Sequence, residues 1–172
     1  MLTVDTYGPD YGDLKPKTLR RVMNKFTLQA TQIMGFDKIE QDIDIDIFVG
    51  TQRMEDKLLD KVVGGYCSCF HDGKKSSSYD VDIELARLSN VESMLVNLCH
   101  EIIHAKQYIF GELGMMFAID DDSLNITNAW KGKKWVAAKN DDPYYDAPWE
   151  KEAYDRENEL YEQTLVALAK KK

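Results

Sequence analysis

An α+β domain is the fold class this sequence predicts, and three observations predict it. A helical face begins at Pro16, period-two strand patterns follow at 42–47 and 78–85, and two further helical stretches occupy the second half. The 172 residues fit one domain, 1–172, large enough to bury a hydrophobic core without disulfides.

The opening is polar, rich in Tyr, Gly and Asp. Pro16 then starts a helix with Leu19, Val22, Met23, Phe26, Ala30 and Ile33 on one face, and Gly35 stops it. From Asp42 to Ile47 aspartate and isoleucine alternate strictly, which builds a half-buried strand with isoleucines toward a core and aspartates toward water. The Asp-x-Asp-x-Asp spacing lacks the central Gly and closing Glu of a calcium loop, so a solvated strand face is expected there. A short helical or irregular stretch around Met54 to Val63 leads through Gly64-Gly65 into a strand at Tyr66–Phe70. The turn from His71 to Lys75 and a second strand from Ser78 to Leu85 complete a hairpin. In that second strand Tyr79, Val81, Ile83 and Leu85 face one way, while Asp80, Asp82 and Glu84 face the other. Three strands thus follow one helix.

Ser89 and Glu92 have capping-box spacing, and behind them Val91, Leu95, Leu98, Ile102, Ala105 and Ile109 form a stripe at helical spacing. A long helix is expected from about Asn90 to Tyr108. From Gly111 to Ala147 the pattern loosens, with Trp130, Lys131-Gly132-Lys133 and Trp135 indicating a turn between two short extended pieces. Pro148 opens a last helix that continues through Leu160, Leu165 and Leu168.

Composition narrows the function classes. Hydrophobic residues make up 44% and charged residues 30%, as in a folded globular protein. A formal net charge of -8 disfavours nonspecific attraction to phosphate backbones or anionic lipid, so neither nucleic acid nor membrane is an expected partner. No secretory signal or membrane span is visible, and a cytoplasmic location is expected. Cys67, Cys69 and Cys99 make an odd count without framework spacing and are expected to pack as small apolar residues. The closing lysines complement the negative end of a helix dipole.

The chemistry lies in His100-Glu101-Ile102-Ile103-His104. Residues four apart on a helix are neighbours, so the two imidazoles can reach one metal ion. Glu101, one residue on, is placed to take a proton from a water activated by that ion and later to pass it to a leaving group. Zinc suits the set, because two nitrogens and one carboxylate leave a fourth tetrahedral position open.

The stretch Asn97-Leu98-Cys99-His100-Glu101-Ile102-Ile103-His104-Ala105-Lys106-Gln107, with Pro148-Trp149-Glu150-Lys151-Glu152-Ala153 downstream, resembles the small gluzincin-type zinc metallopeptidases of bacteria and phages. The resemblance implies a zincin-like fold in which a helix, a small three-stranded sheet, the motif helix and a ligand helix follow in order. It also implies a glutamate on that last helix as third ligand. Glu150 and Glu152 compete for this place. On a continuous helix Glu150 shares its face with Tyr154, Tyr161 and Leu165, whereas Glu152 lines up with Arg156, Glu159 and Gln163 and faces solvent, which favours Glu150. The family's ligand commonly has a small residue three on and an acidic or amide residue four on. Ala153 fits the first place and Tyr154 departs from the second, with Asp155 the nearest substitute.

A related zinc family acting on DNA-bound substrates takes a downstream histidine, and none follows His104. His71 reads as an exposed turn residue and Asp120-Asp121-Asp122 as an acidic surface loop. Tyr144 and Tyr145 are candidates for stabilising a developing oxyanion, and Gln107 for steadying the histidine pair. The expectation is a zinc-dependent hydrolase, most directly a peptidase. His100, His104 and Glu150 would hold the metal, Glu101 would be the base, and a peptide or protein substrate would pair with the strand 78–85 as an edge. The rival is a non-catalytic zinc-containing binding or structural protein on the same fold.

Overall fold

The computed structural model describes residues 1–8, 15–50, 54–56, 61–73, 77–86, 90–120 and 123–171. Along the chain run β1 (Leu2–Tyr7), α1 (Pro16–Ile33), a 3-10 turn (Phe36–Lys38), β2 (Ile43–Val49), β3 (Met54–Asp56) and β4 (Lys61–Val63). There follow β5 (Gly65–Phe70), β6 (Tyr79–Leu85), α2 (Val91–Ile109), β7 (Leu113–Asp120), β8 (Ser123–Trp130), β9 (Lys133–Lys134) and α3 (Pro148–Lys170). The class is mixed α+β, as the sequence predicts.

The main sheet has four strands in the order β1-β2-β6-β5. Its first three are parallel, and β5 is antiparallel at the edge. Alternation in β2 and β6 sends Ile43, Ile45, Ile47, Val81, Ile83 and Leu85 inward, each 1% exposed or less. Leu19, Met23, Phe26 and Ala30 of α1 cover them, together with Met94, Leu98 and Ile102 of α2. Each such large side chain contributes about 1.5–3 kcal/mol by leaving water. Gly35, at φ 84°, takes the left-handed conformation that lets the chain turn out of α1 toward β2.

Several expectations change here. The polar opening contains β1, whose inward position Thr6 is a buried hydroxyl instead of an apolar group. It donates to Asn24 Oδ1 at 2.6 Å, and Asn24 Nδ2 donates to the Val4 carbonyl at 2.8 Å, so α1 supplies the partners this strand needs. The sheet therefore has four strands, not three. The stretch around 54–63 holds an antiparallel pair, β3 with β4. The strand expected as an edge, β6, lies between β2 and β5, so among the described residues the edge of the sheet beside α2 is β5. The β5–β6 hairpin itself is present, with Cys67 opposite Ile83. Cys67 and Cys99 are buried thiols of the core and Cys69 is half-buried.

Helix α2 starts one residue later than the capping-box spacing implies. Asn90 is its cap, accepting from the Ser93 amide at 2.8 Å, and Ser89 lies outside the described residues. Beyond α2, β7 and β8 form an antiparallel hairpin, and Lys131-Gly132 turns β8 into β9 with both residues at positive φ. This turn falls where Trp130 to Trp135 predicts one. A second apolar cluster of Leu113, Ala147 and Trp149, with Tyr108, Trp130 and Trp135 against it, fastens the hairpin to the start of α3. Asp121, Asp122 and Lys172 lie outside the described residues.

Helix α3 begins at Pro148 as expected, but its phase differs. Glu150, Ala153, Leu160 and Thr164 face inward, while Tyr154 and Leu165 are each 41% exposed. Packing against α1 and α2 selects the stripe of small and aliphatic residues over the aromatic one. Among the described residues, no helix is long and apolar enough to cross a membrane.

Candidate metal centre

The centre forms where α2 and α3 meet. Unlike an ordinary amphipathic helix, α2 is buried nearly all round, so His100, Glu101 and His104 lie inside the molecule at 4%, 3% and 7% exposure. Glu150, in the first turn of α3, is 6% exposed. Four ionisable groups so deep in a protein demand mutual compensation or a bound ion.

The geometry supplies a point for such an ion. His100 Nε2 and His104 Nε2 are 3.1 Å apart, His100 Nε2 is 3.3 Å from Glu150 Oε2, and His104 Nε2 is 3.4 Å from Glu150 Oε1. Two ligand atoms each about 2.0–2.1 Å from a tetrahedral ion stand roughly 3.3 Å apart, so these spacings match a shared metal. His100, His104 and Glu150 are therefore a buried group that could bind a metal ion.

The far side of each imidazole is held. His100 Nδ1 donates to Glu157 Oε2 at 2.9 Å, and His104 Nδ1 donates to Gln107 Oε1 at 2.8 Å. Nε2 is thereby the nitrogen that each ring would offer to an ion at the common point, the usual arrangement behind ligand histidines. Gln107 is fixed in turn, its Nε2 donating to the Trp149 carbonyl and to Glu152 Oε2, both at 3.0 Å. Tyr154 lies edge-on to the His100 ring at 4.7 Å.

Electrostatics separate the two carboxylates. Burial alone would raise Glu150, but hydrogen bonds from His100 and His104 hold it down to about 2, so it is a permanent anion. Burial pushes Glu101 up to about 7, against the pull of His104 and His100, which poises it to take or give a proton near neutrality. Burial would lower His100, yet its bonds to Glu150 and Glu157 carry it up to about 9. A metal cation competes for that same stabilisation.

A cleft of about 320 Å³ opens over the group, bordered by Glu101, His104 and Glu150, by Gly65–Cys67 of β5, and by Leu113, Met115 and Asn128 of the β7–β8 hairpin. Tyr144 also lines it. Burial and then the charge of Glu150 raise its hydroxyl above the ordinary tyrosine range, so it remains a donor, here toward Tyr154. Tyr145 meets Tyr144 edge-on, lies tilted to Tyr154 and is half exposed.

The structure thus brings together His100, Glu101, His104 and Glu150, with Gln107 behind and Tyr144 at the wall. Glu152 is not solvent-facing as expected. It accepts from Gln107 and pairs with Arg156 at 3.1 Å, because the true phase of α3 turns it toward α2. Asp155 is exposed and takes no place behind the ligands. His71 stacks on Tyr79 at 4.3 Å and is half-buried, not an open turn residue. Glu157 is the residue sequence reasoning missed. Its signal was a spacing of seven from Glu150, two helical turns along the same face. The chain matches no protein-family model, no curated protein and no solved structure.

Proposed function

We propose that the chain is a zinc-dependent peptide hydrolase with a zincin-like, gluzincin-type centre, in which His100, His104 and Glu150 hold the ion and Glu101 is the base. The observation that carries this reading is the convergence of two imidazole nitrogens and a carboxylate at tetrahedral-ligand spacing, on a cleft that a second carboxylate also borders. Two nitrogens and one oxygen suit zinc, whereas calcium and magnesium take oxygen shells. Bound there, zinc supplies a Lewis acid that acidifies water and polarises a carbonyl oxygen.

The chain's own residues supply the rest. Glu101 accepts the proton of the attacking water as its oxygen adds to the carbonyl carbon, then delivers it to the amine nitrogen as the C–N bond breaks. The Tyr144 hydroxyl at the cleft wall stays protonated, and on leaving Tyr154 it would donate to the oxygen on which negative charge develops. An extended peptide can pair with β5, the edge strand among the described residues, which borders the cleft, and this favours a peptide over other amides. A metal with only a structural role in a binding protein has no use for a base beside it or for an open cleft.

Glu101→Gln tests the reading, since it keeps the shape of the side chain and removes its proton affinity. Zinc content should hold near one per chain, and cleavage of a peptide library should fall by about 10²–10⁴-fold. Equal cleavage rates with zinc retained would overturn the mechanism, and a parent protein without zinc affinity would overturn the metal.

A further inference from the structure

We propose that Asn97 is a positioning residue that holds the Glu101 carboxylate, and that Gly64 and Gly65 are glycines because this pair of side chains occupies the space against them; the role rests on the hydrolase reading above.

Asn97 precedes Glu101 by four residues on α2, so the two side chains are neighbours on one face of the helix. Both press on the backbone where the chain enters β5. A Cβ on Gly64 would stand 2.6 Å from Asn97 Oδ1, and a Cβ on Gly65 would stand 2.6 Å from Glu101 Oε1 and 2.9 Å from Asn97 Nδ2. Neither glycine has a positive φ, so space and not backbone conformation calls for glycine at both places. A side chain at 64 or 65 would have to push the ends of Asn97 and Glu101 out of these positions.

Asn97 Nδ2 is buried and has no hydrogen-bond partner. Buried amide donors are rarely left so, and an exception calls for a functional account. Across the point that a Gly65 Cβ would fill lies Glu101 Oε1, which Asn97 Nδ2 does not hydrogen-bond in this structure and toward which a turn of the amide would bring it. A carboxylate that must take a proton from one atom and give it to another needs a fixed orientation, and Asn97 is the amide placed to fix it. Asn97 is itself outside the set of cleft-lining residues, which separates this role from substrate contact.

The experiment uses the full chain loaded with zinc. Asn97→Ala and the isosteric Asn97→Asp, which keeps the shape but loses the donor, are compared alone and combined with Glu101→Gln on a peptide the parent cleaves. Asn97→Ala should lower kcat about ten- to hundredfold with KM and zinc content unchanged, and Asn97→Asp should do no better. In the Glu101→Gln background Asn97→Ala should cost nothing further. Full activity in Asn97→Asp, a change in KM instead of kcat, or an equal loss in both backgrounds would overturn the proposal. A second readout needs no activity: the Asn97 side-chain amide resonances should move on Glu101→Gln and stay fixed on Asp155→Asn. Resonances unmoved by Glu101→Gln would sink the contact itself, whereas a parent that cleaves no peptide would sink only the hydrolase reading.

Discussion

What an imidazole can offer a metal is set by what its second nitrogen donates to, and the acceptors are Glu157 for His100 and Gln107 for His104. Partners of this kind typically contribute ten- to hundredfold in metal affinity. Glu157→Ala should therefore weaken zinc binding by about 10–100-fold in competition with a chelator, while Asp155→Ala holds the parent value. Glu152→Ala should fall between them, since Gln107 keeps the Trp149 carbonyl when that carboxylate is gone. Of the candidate ligands, His100 and His104 were legible in the sequence because residues four apart meet on any helix, whereas Glu150 was preferred to Glu152 on a helix phase that packing changes. Glu157 was not legible. It meets His100 across 57 residues through the rotation of one helix against another, which packing decides and a motif does not carry.

At the scale of elements, the strands and helices with one apolar face were legible, and those whose inward positions hold polar groups were not. β2 and β6 announce themselves through isoleucine and valine at every second place. β1 conceals its alternation because Thr6 replaces an apolar residue and depends on Asn24 of α1 to satisfy its hydroxyl. The phase of α3 was missed for a related reason: Tyr154 and Leu165 are apolar, yet Ala153, Leu160 and Thr164 fit closer against the neighbouring helices. The start of α2 is a local matter with a local test. Asn90 satisfies the Ser93 amide, and Asn90→Ala should cost about 1 kcal/mol, lowering Tm by about 2–4 °C in a chain of this size. Calorimetry measures it, and zinc stoichiometry should be untouched because the ligands lie three to four turns further along the helix.

Across the whole molecule, the helices lie on one face of the main sheet and acids crowd the other. The register sets Asp5, Asp46 and Asp82 side by side on three adjacent strands, with Asp44 beside Asp80 in the next row. Partial burial, then the charges of Asp82 and Asp5, raise Asp46 above its ordinary value of 3.8. The sign of the consequence follows from linkage. A carboxyl whose folded pKa is raised binds its proton more tightly in the folded chain, so ionised Asp46 opposes folding at neutral pH. That opposition lifts as the pH falls through the raised value and is gone below 3.8, where folded and unfolded chains are both protonated. Asp46→Asn removes the charge and keeps an acceptor for the Tyr7 hydroxyl. It should raise Tm at pH 7, with a gain that shrinks toward zero as the pH approaches 3.8 and that added salt also reduces. Comparing the variant with its parent at each pH cancels the titration of the His100, His104 and Glu150 cluster, which both share. Thermal melts from pH 3.5 to 8 at low and high salt supply the measurement. A gain that grows on acidification would mean that Asp46 is stabilised as an anion, and the row of aspartates would then be no source of strain in the sheet.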